Sequence, residues 1–178
     1  MSLFSATLFA GVSLVLTGGI LVWNRRSVGQ FAKKSLRSFP VTLIIMSVAG
    51  SWFLYNIIRL GVADFGNYKE FLFIFFLGIC FFAFFHARDF LAVRGGAVLV
   101  MLLAKVLLEA AYMQEPQSRL FMVGFVYLCV ITALYLGTAP YRLRDFFDWL
   151  FAKDKRAKLL GYLFGLYGIF LCGIAFTY

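Results

Sequence analysis

Residues 120–139 read LFMVGFVYLCVITALYLGTA, twenty consecutive residues without a charge. A helix rises about 1.5 Å per residue, so twenty residues cover the roughly 30 Å of hydrocarbon in a bilayer. Arg119 stands directly before the run and Pro140 directly after it. The stretch therefore predicts a transmembrane helix bounded by a charge at one end and a helix-interrupting proline at the other.

Five further runs repeat this pattern. The expected helices cover about 2–23, 41–60, 68–90, 97–113, 120–139 and 159–178. The third is the least regular, because its strongly apolar part runs only from Phe71 to Phe85. Composition agrees: 63% of the 178 residues are apolar, 14% are charged, and the mean hydropathy is +0.90. Soluble domains sit near about 45–50% apolar and about 25% charged. The expected fold class is an all-α integral membrane protein. Its architecture is a compact bundle of about six transmembrane helices in a single domain, 1–178.

The loops set an orientation. Loops one, three and five carry 13 of the 17 basic residues, so the positive-inside rule places them in the cytoplasm and both termini outside. The first apolar run begins at Ser2 with no basic stretch before it, and Arg25 and Arg26 follow it. That order predicts a retained first helix rather than a cleaved signal. A bacterial inner membrane is the expected location. The net charge of +9 follows this loop pattern, so the expected partner is the lipid bilayer and not nucleic acid.

Loop five carries a second signal. Gly137 is read as a left-handed cap ending helix five, and Pro140 as the start of a new helix. Leu143, Phe146, Phe147, Leu150 and Phe151 then fall at i, i+3, i+4, i+7 and i+8, with Arg142, Arg144, Asp145 and Asp148 largely off that stripe. This predicts a short amphipathic helix, about 141–152, in the cytoplasmic interface with Trp149 at headgroup level. Loop one is read as a basic loop, and Arg94, Gly95 and Gly96 as the turn into helix four.

Small residues mark packing seams, because helices in lipid approach closely only where side chains are small. Gly161, Gly165, Gly168, Cys172 and Ala175 form one seam in helix six, and Ala6, Ala10, Ser13 and Thr17 form another in helix one. Either seam meets another helix of the chain or another protein. Phenylalanine is abundant, with 23 copies, eight of them between Phe71 and Phe85 of helix three. A helix shows only one side to its bundle, so some of these rings face lipid, a partner or a bound apolar molecule. Cys80, Cys129 and Cys172 all lie in apolar runs without a CxxC, and read as small apolar residues.

Few residues bring chemistry. Lys105 and Glu109 share one face of helix four at i, i+4, with Lys105 read near the midplane. Charges at that depth cost several kcal/mol and mark functional candidates. Asn56 and Arg59 of helix two complete an expected polar network. His86, the one histidine, is a candidate axial ligand for a macrocycle, beside Arg88 and Asp89. Without HExxH or a cysteine partner it predicts no metal site. No GxSxG, Walker A or GxGxxG motif occurs, so no catalytic residue is assigned and the chain is read as a non-enzyme.

Three function classes fit. The leading one is a structural or accessory subunit of a larger membrane complex, acting by helix packing on other membrane subunits. The second is a small transporter or channel using Lys105 and Glu109. The third is a binder of an apolar cofactor such as a quinone or pigment, its identity unassigned.

Overall fold

The computed structural model describes residues 1–23, 25–36, 38–61, 65–86 and 90–178; of Arg25, Arg26, Phe84, Phe85 and His86 it describes the backbone alone. Among these residues the chain is all helical. The elements are α1 (Leu3–Trp23), α2 (Arg25–Ser35), α3 (Phe39–Ile58), α4 (Lys69–His86), α5 (Leu91–Ala111), α6 (Arg119–Thr138), α7 (Tyr141–Phe151) and α8 (Asp154–Ala175). Helices α1, α3, α4, α5, α6 and α8 are long and apolar enough to cross a membrane. This is the architecture of a multi-pass membrane protein.

Several boundaries depart from the sequence-based expectation. The basic loop one is largely a helix, α2. Its Val28, Phe31 and Ala32 fall at i, i+3 and i+4, so it has an apolar side on which to fold. Helix α5 begins at Leu91, six residues before the expected start, so Arg94, Gly95 and Gly96 lie in the helix and not in a turn. Gly95 is where α5 crosses α3. A β-carbon there would sit 2.8 Å from the Met46 sulfur and 3.0 Å from Ile45 Cγ2. Helix α8 begins at Asp154, whose carboxylate suits a helix N-terminus. Gly137 stays inside α6, and no described glycine has positive φ.

The centre of the fold is the antiparallel pair α1–α8. Gly168 lies so close to α1 that a β-carbon on it would meet Gly11 O at 2.7 Å and Val15 N at 2.8 Å. A β-carbon on Gly18 would meet Gly161 O at 2.5 Å. Beside this pair, Ala6, Ala10, Ala104, Leu107, Met122 and Leu171 belong to one buried cluster joining α1, α5, α6 and α8. The Phe4 and Phe176 rings, 5.7 Å apart, bring the two ends of the chain together.

Helix α4 lies outside this core. It meets α3 through the Phe53–Phe76 edge-to-face contact at 5.0 Å, and none of the residues from Gly66 to Ala83 is buried. Phe71, Phe75, Phe81 and Phe82 are all exposed.

Candidate functional site

The polar residues of α3 and α5 come together. Lys105 Nζ donates to Asn56 Oδ1 at 3.2 Å and lies 3.8 Å from Glu109 Oε1. Asn56 Nδ2 donates to the Trp52 carbonyl at 2.9 Å. Arg59 is not held by these groups; its guanidinium stacks on the Tyr55 ring at 4.5 Å. The depth of the pair departs from the expectation. With α5 spanning Leu91–Ala111, its midpoint is Met101, so Lys105 lies four residues, about 6 Å, from the centre, and Glu109 is two residues from the helix end. The pair also faces outward, with side-chain exposures of 54% and 65%. A lysine so placed carries its ammonium toward the headgroups along its own stem. On a spanning helix that exposure is to lipid, where Lys105→Met would leave the Glu109 carboxylate without its partner, so a loss of about 1–3 kcal/mol is expected in a detergent unfolding titration. No loss would show that Glu109 reaches water or headgroups without Lys105.

The two seams are placed differently. Gly161, Gly168 and Ala175 of α8 are buried, and Gly165 and Cys172 are half-buried. The matching line on α1 is Thr7, Gly11, Leu14 and Gly18, all buried, and not Ala6, Ala10, Ser13 and Thr17. Ala6 and Ala10 serve the neighbouring buried cluster. Ser13 and Thr17 return their hydroxyls to α1 carbonyls, Phe9 O at 2.6 Å and Ser13 O at 2.9 Å. The one-residue offset is a rotation of about 100° round the helix.

A hollow between the helices has no counterpart in the sequence pattern. A side-open cavity of about 1200 Å³ lies among α2, α3, α5, α6, α7 and α8, touching α1 at Leu14. Binding sites for drug-sized molecules run to roughly 300–1,000 Å³. On α6 its lining extends from Gly124 to Leu136, twelve residues or about 18 Å along the helix. Its lining is almost wholly hydrocarbon. The hydroxyls present are engaged with helix carbonyls: Ser35 Oγ with Ala32 O at 2.9 Å, Thr132 Oγ1 with Leu128 O at 2.8 Å, and Tyr167 OH with Phe121 O at 3.0 Å. Cys129 adds a thiol, a weak donor. Neither Lys105 nor Glu109 lines it.

One end of the cavity is covered by α2 and α7, which contribute Phe31, Ala32, Leu36, Leu143 and Phe147. The two helices are clasped together. Gly29 lies against the Phe151 ring, where a β-carbon would come within 2.9 Å, and Lys33 Nζ meets Asp148 Oδ1 at 2.6 Å. Arg156 ties α7 to α8 by stacking on Trp149 at 4.5 Å and donating to its carbonyl at 3.0 Å.

The hydrogen bond from Lys33 holds the Asp148 carboxyl below the usual carboxylate range, with the charges of Lys33 and Arg144 adding to it. A carboxyl with a depressed native pKa stabilises above its unfolded pKa, and that contribution fades as pH falls through the native value. The α2–α7 clasp is thus expected to hold from pH 8 to about pH 5 and to loosen below the ordinary carboxylate range of about 4. Spin labels at Gln30 and Trp149 check this by distance. A separation that widens between pH 8 and 6 would show that another group governs the clasp.

His86 is the last residue of α4; its side chain, with Arg88 and Asp89, lies outside the described residues. No group of three His, Cys, Asp or Glu suited to a metal comes together among the described residues. No protein-family model, curated protein or solved structure matches the chain. Function is therefore read from the chain's own chemistry.

Proposed function

We propose that this protein holds the hydrocarbon tail of a membrane molecule between its helices. The observation that carries this is the cavity of about 1200 Å³ whose hydroxyl groups are all bonded to helix carbonyls. Such a surface offers an occupant dispersion contacts and almost no free donor. A quinone ring or a haem edge would leave its polar groups unpaired there at a cost, whereas a tail leaves none. The polar end of the occupant then lies where the lining ends in α2 and α7. By the positive-inside rule we assign those helices to the cytoplasmic face of a bacterial inner membrane, with both termini outside. Transport through Lys105 and Glu109 has less support, because the pair lies outside the cavity and beyond the midplane.

The test is retention. Purified in mild detergent and released into the gas phase, the chain is expected to carry one lipid-sized adduct that resists further washing. A bare chain under conditions that preserve its fold would overturn the proposal.

A second reading, an accessory subunit of a membrane complex, is favoured by α4. That helix exposes Phe71 and Phe75, and none of the residues from Gly66 to Ala83 is fully buried. Under this reading α4 is the docking helix, and Phe71→Ala with Phe75→Ala is expected to release a co-purifying protein without unfolding the chain. Unchanged co-purification, or no partner after mild extraction, would remove it.

A further inference from the structure

We propose that the molecule held in the cavity is an anionic membrane lipid, its headgroup lying at the α2–α7 end and attracted there by Lys34 and Arg94. This inference rests on the tail-binding reading above. It begins from the lining, which leaves no place for a head: its hydroxyls are bound to their own helices. The head therefore belongs outside the apolar lining, and charge decides which end.

The two ends of the bundle differ sharply. At the α2–α7 end, the described side chains include nine basic ones against three acidic ones. These lie on α2, α7, the start of α5, and the turn and first residues of α8. At the opposite end, Arg59, Lys69, Lys105 and Arg119 face Glu70, Glu109 and Glu115, nearly in balance. An anion at the first end is drawn in; at the second it gains almost nothing.

Not all of these cations are free to act. Lys33 is taken by Asp148, Arg144 by Asp145, Arg156 by Trp149, and Arg142 lies over the Tyr141 ring at 5.6 Å. Among the described residues Lys34, Arg94, Lys153, Lys155 and Lys158 are exposed and have no carboxylate partner, and of these Lys34 and Arg94 adjoin the cavity. Each is next in sequence to a residue that lines the cavity: Lys34 precedes Ser35, and Arg94 follows Val93. They come from two different helices at the same end of the lining. Long stems let both side chains lie along apolar surface with their charges at the headgroup level. A zwitterionic head presents its own cation to this field and gains less from it.

The experiment uses the whole chain in detergent micelles. It is given an equimolar mixture of a phosphatidylglycerol and a phosphatidylcholine of identical acyl chains, and bound lipid is counted by native mass spectrometry. The anionic lipid is expected to be preferred by roughly fivefold or more, the scale set by one basic residue near a charged headgroup. In Lys34→Gln/Arg94→Gln the preference is expected to vanish while total bound lipid is unchanged. Both positions are exposed, and a thermal melt confirms the fold of the variant. Equal binding of both lipids by the wild type overturns the headgroup proposal and leaves tail binding standing. Binding of neither overturns tail binding itself. A preference that survives in the double variant overturns the assignment to Lys34 and Arg94.

Discussion

Gly168→Leu should leave the chain unable to keep its native packing, with a loss of more than about 3 kcal/mol, the upper end for overpacking in a core. The reason is what the new side chain would meet. Its β-carbon alone would lie 2.7 Å from Gly11 O and 2.8 Å from Val15 N, which are backbone atoms of α1 and cannot rotate away. Relief would require α1 and α8 to separate along their length. That movement would undo the contact at Gly11 and disturb the buried cluster that α1 shares with Met122 and Leu171. Gly18→Leu should behave alike, since its β-carbon would meet Gly161 O at 2.5 Å. Gly165→Ala is the control. It lies in the same α8 seam, yet a β-carbon there meets nothing within 4 Å, so its effect should stay within about 0.5 kcal/mol. Unfolding in mixed micelles followed by tryptophan fluorescence reads all three. Equal stability of Gly168→Leu and Gly165→Ala would mean that α1 and α8 are not in contact at these glycines.

That contrast also marks how far the sequence can be read. The 4-3-4-3 spacing from Gly161 to Ala175 identifies a face of α8, because helical periodicity is a property of one segment. It does not say what lies opposite, and on α1 the line Ala6, Ala10, Ser13 and Thr17 is one position away from the line that meets α8. The reason is local: Ala6 and Ala10 are small for a second neighbour, so α1 carries two small faces and the sequence does not rank them.

The same limit recurs elsewhere. Helix α7 was legible because five large apolar residues share its stripe. Helix α2 was not, because Arg25, Arg26, Lys33 and Lys34 read as a basic loop. Gly29 is in fact the point where α2 touches Phe151, so its weak helix propensity is outweighed by a tertiary contact. The depth of Lys105 depended on where α5 begins, and a six-residue error at Leu91 moved it from the centre toward one end. The cavity was invisible for a stronger reason. Its lining is drawn from seven helices, and whether a glycine faces open space or a neighbouring backbone is decided only when they assemble.

Two of those glycines make the tail-binding proposal testable at its centre. Gly96→Phe combined with Gly124→Phe should empty the cavity of lipid while the protein stays folded. Both residues line the cavity, from α5 and α6, and a β-carbon on either meets nothing within 4 Å. The rings would therefore enter space that a tail otherwise occupies, not space held by protein. Replacing two helical glycines also removes backbone freedom from the unfolded chain, so stability should hold or rise. Forcing a bound tail to share its volume with an added group costs about 1–3 kcal/mol, roughly tenfold to a hundredfold in affinity. Lipid retained after washing should fall accordingly, and Gly165→Phe, on α8 and outside the lining, serves as the comparison. Undiminished lipid in the filled variant would mean that the tail lies on the outer surface of the bundle, against helices such as α4. Loss of lipid only together with loss of fold would mean that α5 and α6 already close the space, and the cavity would no longer support a binding function.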